Sequence, residues 1–133
     1  MTARRATYLD SSAIVKLVVA EPESPALRHY LRRRSPFVTS ALATTEVSRA
    51  MLPLGAAAVR RGQQVLARLE LIRISDRILE EAGSVLPADV RSLDAIHLAT
   101  IQELGGDLAR VVTYDARMAG AANAAGLPVV APA

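Results

Sequence analysis

Ala6-Thr7-Tyr8-Leu9-Asp10-Ser11-Ser12-Ala13-Ile14-Val15-Lys16-Leu17-Val18-Val19-Ala20 decides how the rest of the chain is read. Ala6 to Leu9 has the composition of a short strand. Ser11 to Ala20 has that of a helix, stopped by Glu21-Pro22. One acid, Asp10, stands at the junction. The same order returns near the other end, where a strand from Arg110 to Thr113 runs through Tyr114 into a helix from Asp115 to Ala125. Between them the pattern predicts helices at 25–34, 41–52, 56–69 (weakened by Gly62), 76–86 and 92–104. Strands are predicted at 37–39 and 71–74, and Val129-Val130 closes the set. Five short strands separated by helices predict an α/β fold, with a mainly parallel sheet covered on both faces and one domain over 1–133. Ligands of such sheets bind beyond the carboxyl ends of the strands, where Asp10 and Asp115 fall.

Composition narrows the chemistry. The 133 residues suffice for a real core. No Cys is present, so disulfides, zinc–thiolate sites and thiol nucleophiles are excluded. His29 and His97 are the only histidines, so a metal would need oxygen ligands. Four aromatics, Tyr8, Tyr30, Phe37 and Tyr114, are too few for a base-stacking platform. Net charge is +3, from sixteen basic and thirteen acidic residues. A basic surface around an acidic hole suits a polyanion cut at a metal. Fifteen of the sixteen bases are Arg, which GC-rich codon usage explains equally well. Arg4 and Arg5 before an apolar stretch resemble a signal peptide, but Asp10 and Lys16 interrupt it, and no stretch approaches a membrane span. The expectation is a soluble, cytoplasmic protein.

Four acids stand out. Asp10 and Asp115 each sit where a helix N-cap belongs. Asp94 shares its helical face with Leu98 and Ile101, so it must cap, pair or ligate a metal, since an unpaired buried charge costs several kcal/mol, or else draw on the helix dipole at the first turn. Glu46 lies mid-helix at the edge of a stripe formed by Ala43, Val47, Ala50 and Leu54, with Arg49 or Arg73 as possible partners. Carboxylates that converge repel one another and are tolerated mainly when a hard divalent cation offsets them. His97, one turn after Asp94, reads as a satisfied core histidine or as a contact to metal or phosphate. Ser11, Ser12 and Thr113 can fix carboxylate rotamers or only satisfy turns. Arg28, Arg32, Arg33 and Arg34 read as a solvated helix end or as phosphate contacts.

In this order and spacing, Leu9-Asp10-Ser11-Ser12-Ala13, Glu46, Leu93-Asp94-Ala95-Ile96-His97-Leu98-Ala99 and Thr113-Tyr114-Asp115 resemble the PIN-domain nucleases, over nearly the whole chain. The length is most similar to that of the VapC toxins of type II toxin–antitoxin pairs. The resemblance implies an α/β/α sandwich and a Mg²⁺- or Mn²⁺-dependent endoribonuclease. It also implies a homodimer and a VapB antitoxin partner, and it places Asp10, Glu46, Asp94 and Asp115 in the metal site. Three other readings remain: a PIN-like binding or regulatory module without catalysis, phosphoryl transfer through Asp10, and a flap-type DNA nuclease. The second wants another Asp where Ser12 stands, and the chain is short for the third.

Overall fold

The computed structural model describes residues 5–133; Arg4 of the N-terminal basic pair lies outside them. The chain runs β1 (Ala6–Leu9), α1 (Ser11–Val18), α2 (Ser24–Leu31), β2 (Phe37–Ser40), α3 (Leu42–Met51), a 3₁₀ turn (Leu52–Leu54), and α4 (Ala56–Leu66). It continues through β3 (Glu70–Ile72), α5 (Asp76–Ala82), α6 (Ser92–Leu104), a second 3₁₀ turn (Gly105–Asp107), β4 (Leu108–Val112), α7 (Ala116–Ala124) and β5 (Val129–Val130). All four strand pairings are parallel, in the order β3-β2-β1-β4-β5. The expected sheet is therefore wholly parallel.

Side chains of successive strand residues point to opposite faces. Leu9 and Val112 accordingly join the core formed with α1 to α4, whereas Tyr8 and Val111 join the core under α6 and α7. These layers make the α/β/α sandwich. After β1 the chain builds outward through β2 and β3, then returns to place β4 on the other side of β1. The strand order thus reverses between β1 and β4, the topological switch point where such sheets carry their ligands.

Most element boundaries differ from the sequence reading by a few residues. α2 ends at Leu31 rather than Arg34, because Arg32 is already extended and Arg33 takes a left-handed φ of 64°. β4 begins at Leu108, which is buried and registers with Ala6. α4, α5 and β3 stop short of their expected ends. Among the described residues no helix is long and apolar enough to cross a membrane.

Candidate active site

The register Leu9↔Val112 decides the first contact. It puts the next residues of the two central strands, Asp10 and Thr113, side by side. Thr113 Oγ1 donates to Asp10 Oδ2 at 2.5 Å. Asp10 is the N-cap of α1, and its Oδ1 accepts from the Ala13 N–H at 3.0 Å and from Ser12 Oγ at 2.6 Å. The Tyr114 N–H donates to Ser12 Oγ at 2.9 Å, so the two strand ends are tied together through one hydroxyl. Asp10 is only 5 % exposed. Burial pushes its carboxyl above the ordinary range, against the hydrogen bonds from Ser12, Thr113 and Ala13, which favour the charged form.

Glu46 reaches the same region from α3. Its Oε1 accepts from Ser11 Oγ and from His97 Nε2, each at 2.6 Å. Burial raises its carboxyl, but the hydrogen bonds from His97 and Ser11 outweigh that and hold it below the usual carboxylate range. The partners expected from sequence, Arg49 and Arg73, are replaced by a serine and a histidine. His97 is the satisfied, buried core histidine of the first expectation, and it also neighbours the acids. Its other ring nitrogen, Nδ1, lies 2.6 Å from the Tyr8 hydroxyl.

Asp94 stands in the first turn of α6 and does not cap it. Among the described residues its carboxylate has no hydrogen bond and no ion pair. Burial first, then the Asp115 charge, push it above the ordinary range, with a further push from Glu46. Asp115 is exposed and caps α7 through Oδ1, which accepts from the Arg117 and Met118 N–H groups at 2.8 and 3.1 Å. Asp94 also lines a cleft of about 480 Å³ between the loop before α6 and the start of α7, with Arg91 and Arg117 on its walls.

All four acids therefore lie around the carboxyl ends of the sheet, and the charges of Asp115 and Glu46 act on Asp94. Among the described residues no three acidic or histidine side chains come close enough to enclose an ion by themselves. The donor set is nevertheless all hard oxygen, and Asp94 carries like-charge repulsion that Arg91 only partly offsets. That combination fits Mg²⁺ or Mn²⁺ held by a few carboxylates, with water in the remaining positions. It does not fit a soft metal.

The arginines separate. Arg28 and Arg32 line, with Arg68, a groove of about 470 Å³ whose apolar lining includes Leu17, Leu31 and Phe37. Arg33 instead joins Arg5, Arg34 and Arg110 at the opposite end of the sheet from the acids. Sequence reasoning grouped Arg28, Arg32 and Arg33 because α2 was expected to run on to Arg34. It missed Arg91 and Arg117, which are adjacent to Asp94 only once α6 and α7 are packed. It also read Tyr8 solely as a strand residue, with no sequence signal for its bond to a histidine 89 positions away.

Comparison with known proteins agrees with this geometry. The PIN domain family model matches residues 7–124. Ribonuclease VapC46 of Mycobacterium tuberculosis is 58 % identical over 127 residues, covering 96 % of this chain and 98 % of that one. The crystal structure of M. tuberculosis VapC20, described as a sarcin–ricin loop cleaving toxin, superposes with a TM-score of 0.77 at 16 % identity, over 95 % of this chain and 99 % of that one. A toxin–antitoxin complex from Klebsiella pneumoniae gives a TM-score of 0.72 at 23 % identity, over 96 % and 98 % of the two chains. A parallel sheet with acids at its switch point, a family match over most of its length and a close relative of full length together make this chain a member of the PIN-domain family, among its VapC ribonucleases.

Proposed function

We propose that this chain is the toxin of a VapBC-type pair, an endoribonuclease that hydrolyses RNA phosphodiester bonds with Mg²⁺ or Mn²⁺ and is held in check by a VapB-type antitoxin. The observation that carries the reading is Asp94, a half-buried carboxylate without a partner among the described residues, pressed upward by Asp115 and Glu46. It neither caps α6 nor pairs, so the helix N-terminus is the one favourable interaction its own helix offers it.

Asp10, Glu46, Asp94 and Asp115 hold the cation, with Asp10 and Glu46 oriented by Thr113, Ser12, Ser11 and His97. The cation supplies charge neutralisation at the scissile phosphate and a more acidic water. Arg91 and Arg117, on the walls of the Asp94 cleft, take flanking phosphates. Arg28 and Arg32 add longer-range attraction for the polyanion, whereas Arg33 lies at the far end of the sheet and has no part in it. No side-chain nucleophile is required, in keeping with the absence of Cys. The antitoxin seats an apolar segment in the arginine-rimmed groove between α2 and α4, and a homodimer completes the assembly.

The test is incubation of the purified protein with total RNA in Mg²⁺, Mn²⁺ or EDTA, beside an Asp10→Asn/Asp94→Asn variant. Discrete cleavage that needs both the metal and the acids is expected. A folded protein that neither cuts RNA nor binds either metal would leave a non-catalytic binding module as the better reading.

A further inference from the structure

Tyr8 is fully buried on β1, with its ring edge-on to His97 at a centroid distance of 6.0 Å and an interplanar angle of 86°. Three hydrogen-bonding groups then follow in line: Tyr8 hydroxyl, His97 ring, Glu46 carboxylate, each link 2.6 Å long. The direction of every link is decided by donor chemistry. An ionised carboxylate only accepts, so His97 Nε2 must carry the hydrogen it gives to Oε1. In the neutral ring Nδ1 is then a bare acceptor, and the Tyr8 O–H is the donor that reaches it.

We infer that Tyr8 and His97 form a positioning relay that selects one imidazole tautomer and thereby fixes the Glu46 carboxylate in the cleft. Tyr8 touches no reacting atom. It acts through His97, which is 2 % exposed and cannot reorient toward solvent. Ser11 and His97 share Oε1, so Oε2 is left without a hydrogen-bond partner among the described residues and is free to ligate. The relay links three elements far apart in sequence: β1, α6 and α3. Asp10 and Asp115 are steadied differently, by the helix N-termini they cap, while Asp94 has a shorter side chain and no hydrogen bond among the described residues. Glu46 sits mid-helix on a long flexible side chain and caps no helix, so its orientation depends on such bonds. The purpose assigned to the relay rests on the metal-site reading above; the tautomer it imposes does not.

The experiment is nitrogen-detected NMR of the His97 ring in the metal-free protein, together with calorimetric Mn²⁺ titration, for the wild type and Tyr8→Phe. The wild type should show a single neutral tautomer protonated at Nε2. Tyr8→Phe should mix the tautomers and weaken Mn²⁺ binding about tenfold, with no further loss when it is added to Glu46→Gln. An unchanged ring spectrum with affinity within twofold would overturn the relay, as would an equal loss in the Glu46→Gln background. Should Tyr8→Phe not fold, His97→Gln, which keeps an N–H where Nε2 stood, is expected to bind Mn²⁺ several-fold more tightly than His97→Ala; equal binding would refute it. A wild type with the right tautomer that neither binds Mn²⁺ nor cuts RNA would overturn the nuclease reading and the relay's purpose with it, a pattern distinct from a silent Tyr8→Phe.

Discussion

Asp94 carries a charge that the fold makes unwelcome and only partly offsets. Its folded pKa lies above the ordinary 3.8. Between the two values the native state binds more proton than the unfolded chain, so stability falls as pH rises through that window, and the penalty is complete above it. Asp94→Asn removes the penalty. In EDTA the variant is expected to be the more stable protein at pH 7, with the difference shrinking toward zero as pH drops to about 3.8. Urea unfolding across that range measures it. Saturating Mg²⁺ should reverse the order, because a ligand bound only by the native state stabilises it. An Asp94→Asn variant that is less stable at every pH, with or without metal, would show that the carboxylate serves the fold. Part of this site was legible in the sequence, because an acid on an apolar helical face announces itself by its position alone. Thr113 and Ser11 were legible as neighbours of the acids. What they bond was not, since Thr113 finds Asp10 only through a strand register 103 residues apart.

At the scale of elements, α3 and α4 cross where Gly62 is buried. A Cβ built at Gly62 would stand 3.2 Å from Val47 Cγ1 and 3.4 Å from Met51 Cγ. Val47 directly follows Glu46 on the same helix, so this close approach helps set where α3 presents its acid. Gly62→Val is expected to force the two helices apart and to destabilise the protein by about 1–3 kcal/mol, the usual cost of overpacking. Denaturant midpoints would report it. A variant as stable as the wild type would mean the crossing is loose. From the sequence Gly62 reads only as a weak point in a helix, because propensity records backbone entropy and not which neighbour comes close. The strand–acid–helix junctions at Asp10 and Asp115 were legible for the converse reason: each is local, and its turn chemistry is written in adjacent residues. The end of α2 was not, since Arg33 takes its left-handed φ without a glycine or asparagine to mark it.

The molecule as a whole separates its charges. The acids gather at the carboxyl ends of the strands, while Arg5, Arg33, Arg34 and Arg110 cluster at the other end, three of them anchored on neutral oxygens of Leu108, Tyr30 and Thr7. With Arg91 and Arg117 on the Asp94 cleft, RNA binding by the Asp94→Asn protein is expected to weaken steeply with salt. Each phosphate that is no longer neutralised should lower the slope of log affinity against log salt by roughly 0.7–0.9. Arg91→Gln/Arg117→Gln should release about two phosphates, which filter binding between low and moderate ionic strength would detect; an unchanged slope would move the RNA path away from that cleft. The sheet topology has one more effect, on timing. Asp10 belongs to the first strand made, yet the hydroxyl that orients it comes from Thr113, and its companion Ser12 is engaged by the Tyr114 N–H. During synthesis the amino-terminal acids are exposed long before β4 leaves the ribosome. A chain arrested anywhere before that point has the residues of a nuclease without their arrangement. Asp10 therefore acquires its orienting partners only near the end of synthesis, so the geometry of the first acid waits on the last part of the chain.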